Sequence, residues 1–456
     1  MKTRIIGIDL GVTAKHKAVV LDQASNEFVS PILSFQPYPA EVERILKAAR
    51  AGSSGDVALV AVLEATGMAW YAVGVYLQRQ GVTVYRINGQ KTKQLRQVYW
   101  QHTGSDRIDA RVLARLYQLE PERLVRWQPA NGDQLALQRA CREYDRWRRL
   151  DVAIQNRIQA YDQWAWNGLQ RLIPATALPW MRQHWYDPWQ VSQAGLDHLQ
   201  AAWQHAAPQE PADTDWIAPW LSRAQQMTEL YGTPEMVGYT YLQATIARQL
   251  ALQAEALEQR ARLRQELIEP LYCRLHPERH LESIPGIALA SAATYIAFIQ
   301  AIDRFDTVAA FRKWCGIIPA SHQSGEGEAK GLSLTKAGPN LIKATLYLNA
   351  HVSRLRDVQL AAIYYDQMVN HGQHHHHAIC ACASHLASRI FTVLKEHRPY
   401  QLRNLDGQPI DKATSRHLCL THFRVPDEVR QRNNKKQRRQ QKELHAEKRY
   451  RQRRRR

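Results

Sequence analysis

Long apolar runs are missing from this chain. No stretch of its 456 residues approaches the roughly 18–20 consecutive apolar residues that a membrane span requires, so no spanning segment is expected. Cysteine is sparse. Cys141, Cys273, Cys315, Cys380, Cys382 and Cys419 form no Cys-x-x-Cys pair and no secreted-type framework, which predicts reduced thiols in a cytosolic protein rather than a disulfide scaffold. The opening residues, MKTRIIGIDLGV, run straight into a strand pattern, without the apolar core and cleavage site of a signal peptide. Acidic residues are outnumbered, 42 Asp and Glu against 61 Lys and Arg.

What is present is enough for two or three domains with their own cores, since hydrophobic residues make up 45% of the chain. The formal net charge is +19, and its distribution matters more than its size. Between Arg430 and Arg456, fourteen Lys and Arg stand against two Glu, a net of +12 that leaves +7 for the rest. Such a block is expected to be a disordered tail, residues 401–456 as a whole, that seeks polyanions. The moderate excess in the body suits a nucleic-acid partner.

Strand and helix patterns alternate over residues 1–125. Residues 4–22 read as a hairpin, 56–67 as a buried strand ending at Glu64, 82–88 as another strand, and 106–118 as a helix. An α/β domain follows from that alternation. Residues 126–272 turn helical, with a coiled-coil-like pattern and a Trp-rich insert at 173–233. The insert's tryptophans are expected to pack in a core rather than stack on bases. A second compact region, 273–400, opens on LESIPGIALASAATYIAFI, which reads as a helix-hairpin-helix-like turn at Pro285-Gly286. Backbone amides at Gly286 are candidates for a phosphate contact.

The acidic residues carry the chemistry. Asp9 ends the first strand in GIDLG, Glu64 ends a buried strand in LEATG, and Asp106 and Asp109 sit three apart in GSDRIDAR, on one face of a helix's first turn. Converging carboxylates repel one another without a cation, and hard divalent ions such as Mg²⁺ or Mn²⁺ take oxygen ligands of this kind. Paired ions of that type stabilise the attacking and leaving oxygens of phosphoryl transfer. A lone Asp106 would be an ordinary helix cap; the ordered set is harder to dismiss.

IGIDLGVTAKHKAVVLD, LEATG, GSDRIDAR, LESIPGI and the Ser-Gly step before Lys-Ala-Gly follow one another in this chain. That series resembles the DEDD transposases of the insertion sequence 110/1111 family, also known as bridge-RNA-guided recombinases. The resemblance implies a RuvC-like, ribonuclease-H-fold domain, then a coiled coil and a mostly helical C-terminal transposase domain. It implies Asp9, Glu64, Asp106 and Asp109 as the catalytic, metal-binding tetrad, and Ser324, in Ser324-Gly325, as the nucleophile of a covalent DNA intermediate. Ser321 precedes His322 rather than Gly and does not fit. A serine hydroxyl is a poor nucleophile unless a base or metal activates it; the acidic centre, rather than neighbouring His322, is expected to supply that. Lys330, Lys336 and Lys343 flank the loop and suit phosphate contacts. By the same resemblance the partners are donor and target DNA and a structured noncoding guide RNA. The assembly would be a homodimer pairing into a tetramer, working in the bacterial cytoplasm at the nucleoid.

A site-specific DNA invertase of the same family is the alternative activity. A sugar-kinase or Hsp70-like ATPase is a rival on the strength of DLGVTAKHKAVV, but no second Asp-Gly phosphate loop or Gly-Gly adenosine motif follows. The run HGQHHHHAICACASH at 371–385 is read as a basic lead-in to the last helix rather than a zinc site, because consecutive helical histidines point around the whole circumference.

Overall fold

The computed structural model describes residues 2–11, 14–52, 56–64, 69–87, 106–119, 121, 124, 126–129, 131–208, 214–318, 323–324, 327–328 and 338–454. The chain divides into two compact units, Met1–Ala130 and Asn131–Arg456.

In the first unit, β1 (Lys2–Asp9) and β2 (His16–Asp22) pair antiparallel, and β3 (Leu33–Phe35) extends the edge beside β2. The chain then crosses through α1 (Pro39–Arg50) to β4 (Val57–Glu64), and through α2 (Ala69–Arg79) to β5 (Thr83–Ile87). Both new strands run parallel to β1, giving the order β3-β2-β1-β4-β5. The two faces of the sheet have separate cores. Ile6, Ile8, Leu59, Ala61 and Leu63 meet α1 and α2 on one side. Ile5, Val60 and Val62 meet Ala110, Leu113 and Ala114 of α3 (Asp106–Leu119) on the other. Alternation along a strand therefore separates even from odd positions of β1, and a sheet buried on both faces reads as a near-continuous apolar run.

The second unit starts with α4 (Gly132–Trp166), about 50 Å long at the usual helical rise. The Asn131 side chain caps it by accepting from the Gln134 amide at 2.7 Å. Leu137, Ala140 and Cys141 of α4 belong to one large core, and Ile154, Ile158 and Trp166 to another. That second core gathers α5 (Leu178–His184), α6 (Pro188–Ala206), α7 (Ile217–Tyr231) and the start of α8 (Tyr239–Leu263). Trp203 and Trp220 are buried in it, while Trp180, Trp185, Trp189 and Trp216 pack around it. Trp216 and Trp220 stack at 5.7 Å. The tryptophans thus form a core, as the composition led one to expect.

α8 returns antiparallel along α4. Midway, buried Asp151 accepts from Arg260 Nη1 at 2.9 Å and Gln253 Nε2 at 3.1 Å. A wide π-helical turn at Arg264–Ile268 then leads into α9 (Glu269–Leu275). Pro270 accounts for it, because proline offers no N–H and its ring crowds the carbonyl four residues back.

The larger core is completed by α10 (Leu289–Ile299), α11 (Val308–Cys315), α12 (Asn340–Ser353), α13 (Val358–Tyr365) and α14 (His375–Glu396). α14 is long and apolar enough to cross a membrane by length and composition, but Ile379, Leu386 and Ile390 are fully buried in this core. Gln134 Nε2 donates to the Ile296 and Ala297 carbonyls at 2.6 and 2.7 Å, so α4 satisfies two end carbonyls of α10. No seam therefore falls at residue 272. The helix expected ahead of Pro285-Gly286 is a single 3₁₀ turn, His280–Ser283.

The basic segment departs from expectation. Past α15 (Lys412–Thr421), residues Asp427–Arg454 form one helix, α16. Val429 packs on the larger core, and Asn433, 3% exposed, donates to the Met368 and Gln373 carbonyls at 2.9 and 3.0 Å. Like charges prevent collapse, but a helix needs no collapse. Arg, Lys, Gln and Glu are good helix formers, and the docked first turns supply the nucleus.

Candidate active site

Two of the four acidic residues stand side by side. β1 and β4 are parallel, with Ile8 opposite Leu63, so the next residues, Asp9 and Glu64, occupy matching positions at the two strand ends. Parallel neighbours lie about 4.8 Å apart, and matched positions point to the same face. That face is the one α3 covers, because Ile5 of β1 and Val60 and Val62 of β4 share its core with α3. Both residues are half-buried.

α3 brings the other pair to the same end. Gln118, near its C-terminus, donates to the Gln23 carbonyl at 3.4 Å, and the Gln23 amide bonds to the Thr3 carbonyl at the start of β1. The helix therefore runs antiparallel to β1 and starts beside its Asp9 end. Asp109 lies in that first turn, half-buried; the Asp106 backbone opens the helix, while its side chain is outside the described residues. Among the described residues, no group of three or more His, Cys, Asp or Glu side chains is placed to hold a metal ion. The architecture brings Asp9, Glu64 and the first turn of α3 to one corner of the sheet. A donor set made only of carboxylate oxygens still suits a hard divalent cation, because such ions take oxygen ligands.

Gly7 explains how α3 comes so close. A Cβ there would overlap the Ala110 carbonyl oxygen and the Ala114 backbone nitrogen. The helix rests backbone-to-backbone on β1, one residue beyond Asp109 and two before Asp9. Sequence reasoning passed over Gly7, although a glycine inside a strand pattern is a standing sign of close backbone approach.

The serine segment belongs to the second unit. Ser324 ends a two-residue strand, β6 (Gln323–Ser324), paired antiparallel with β7 (Gly327–Glu328), Ser324 opposite Gly327. Ser321, His322, Gly325, Lys330 and Lys336 lie outside the described residues, as does the side chain of Ser324. The two ends of the segment are held together. α11 is capped by Gly316, and Gly338 returns with φ +72°, where a Cβ would overlap the Trp314 carbonyl oxygen. The glycine of Lys336-Ala337-Gly338 is thus a clasp, another role that sequence reasoning missed.

Lys343 is half-buried on α12. Gly286, with φ +92°, packs on Ser353, and its carbonyl accepts from Asn349 Nδ2 at 2.6 Å. The demand for glycine at 286 therefore comes from packing, and needs no phosphate to explain it. The histidine run opens α14: His374 caps it, and the His375 Nδ1 lies 2.7 Å from the Tyr364 hydroxyl.

A transposase profile of the DEDD type found in IS110 elements matches residues 6–161. A second, for transposases of the IS116/IS110/IS902 family, matches residues 278–366. No curated protein matches the chain.

Proposed function

The chain belongs to the IS116/IS110/IS902 family of transposases and is an enzyme that acts on DNA; from that premise we propose how it cuts and rejoins strands. The observation that carries the reading is the register match of Asp9 and Glu64 on the α3 face. Asp9, Glu64, Asp106 and Asp109 would hold Mg²⁺ or Mn²⁺, which when bound supplies Lewis-acid neutralisation of charge on the scissile phosphate. Ser324 Oγ attacks the phosphorus. Its proton leaves, the Ser–phosphate bond forms, and one strand departs as a free hydroxyl. A hydroxyl of the exchanging strand then attacks the same phosphorus and releases Ser324, so the phosphodiester is rebuilt without an external energy source.

Lys330, Lys336 and Lys343 position the backbone, and the approach of Gly338 to Trp314 fixes where the two ends of the serine segment leave the core. A structured RNA supplies target choice by base pairing, in keeping with the net positive charge. Two dimers pair into a tetramer, which suits the joining of two duplexes by closed symmetry. The rival ATPase reading loses its footing with the family membership.

Two variant sets test this. Asp9→Ala and Glu64→Ala should each abolish strand breakage in a cleavage assay while leaving nucleic-acid binding in place; retained cleavage would sink the metal assignment. Ser324→Ala should remove any covalent protein–DNA adduct on denaturing gels and Ser321→Ala should not, and an adduct persisting in Ser324→Ala would refute the nucleophile. Sequencing the nucleic acid that copurifies with the protein should return one defined RNA.

A further inference from the structure

At one end of the larger core, cations collect with no carboxylate to meet them among the described residues. Arg354, at the C-terminal boundary of α12, is only 8% exposed. Its guanidinium sits 4.1 Å from the centre of the Tyr364 ring, and its Nε is buried without a hydrogen-bond partner. Arg430, in the first turn of α16, has a buried and unpartnered Nε as well. After burial, the strongest charge effects on Arg354 come from Tyr364, Arg430, Cys382 and Tyr347, none of them a carboxylate. Two guanidinium groups thus face each other's repulsion in a partly desolvated place.

Two histidines join them. His351 and His375 have ring centres 5.4 Å apart. His375 is the first residue of α14, a 22-residue helix, and stands near enough to Arg354 to feel its charge. The positive end of the helix dipole therefore adds to the same spot. Burial first, then Arg354 and His351, hold the His375 imidazole down at about 4. Burial, Arg354 and Arg430 likewise lower His351. Exposed His351 and His376 leave this spot open to solvent. A buried charge without a partner costs free energy that an arriving anion would recover.

We propose that Arg354, Arg430, His351, His375 and the N-terminal turn of α14 form a binding site for one phosphate group. A planar guanidinium at the base, a second one beside it and a helix N-terminus match the fork geometry and charge of a phosphate oxyanion. The group is either a backbone phosphodiester of bound nucleic acid or a free phosphate. The site shares no residue with the acidic set or the Ser324 segment, and its test needs no strand cleavage.

The full chain is titrated with inorganic phosphate and, separately, with a short random-sequence oligonucleotide, following phosphorus NMR line width and the melting midpoint. Phosphate should broaden and should raise the midpoint of the wild type. Arg354→Met should remove that shift and weaken phosphate binding at least about tenfold, the loss of a charge-assisted hydrogen bond. The ligand-free variant should melt no lower than wild type, because an uncompensated buried charge has gone; a purely structural arginine would give a lower midpoint, which counts against the site. Arg430→Gln, on a helix docked by Val429 and Asn433, should weaken phosphate similarly and covers the case of a misfolded Arg354 variant. A matching fall in oligonucleotide affinity assigns the backbone as the source, whereas unchanged oligonucleotide affinity assigns free phosphate. Wild-type protein indifferent to phosphate, or both variants binding as wild type, overturns the proposal.

Discussion

Glycine inside a strand ordinarily weakens it, yet Gly7 lets α3 rest backbone-to-backbone on β1. Gly7→Ala would force α3 off β1, since the obstructing atoms are backbone. We expect a loss of about 2–3 kcal/mol in urea unfolding, of the size of an overpacked core. Catalysis should fall further than stability, because Asp109 rides on the displaced helix; a variant that melts lower but cleaves normally would contradict that coupling. The strand ends at Asp9 and Glu64 were readable from the apolar pattern. Gly7 and Gly338 were not read, because their role is a distance to Ala110 and Trp314, which local pattern does not encode.

Among elements, α13 and α14 are tied by a fully buried carboxylate. Asp357 caps α13 through the Gln359 and Leu360 amides, and accepts from Arg389 Nε at 3.1 Å and the Tyr400 hydroxyl at 2.8 Å. Asp357→Ala would strand Arg389, 12% exposed, without its counter-charge. The expected cost is about 3–5 kcal/mol in thermal or chemical unfolding, against under about 1 kcal/mol for breaking the exposed Arg262–Glu258 pair. Helices and strands of the first unit were legible because their apolar periods are strong. The helix α16 was not, since charge density argued for disorder, while the docking by Asn433 that organises it depends on the carbonyls of Met368, in a π-helical turn, and Gln373.

For the whole molecule, charge sets the terms of association. Truncation after residue 443 removes seven Lys and Arg with one Glu. Affinity for duplex DNA should drop, and the slope of log affinity against log salt should shrink by roughly 0.9 for each phosphate no longer neutralised. Filter binding at several salt concentrations measures this; an unchanged slope would mean the removed residues touch no phosphate. The fold class and the family were within reach of sequence alone, whereas the joining of residues 131–272 to the C-terminal core was not. That union rests on Gln134 and Gln138 reaching the α10 carbonyls across some 160 positions.

The pairing of α4 with α8 places two independent cores at opposite ends of a double-helical strut, with Asp151 and Arg260 between them. Those two helices carry the chain into and out of the tryptophan core, so the strut works as a splice. Cutting both helices at facing turns and closing them with a short loop should yield a smaller chain that keeps the larger core whole. The tryptophan head is then a module whose presence is a choice of length, not a condition of folding.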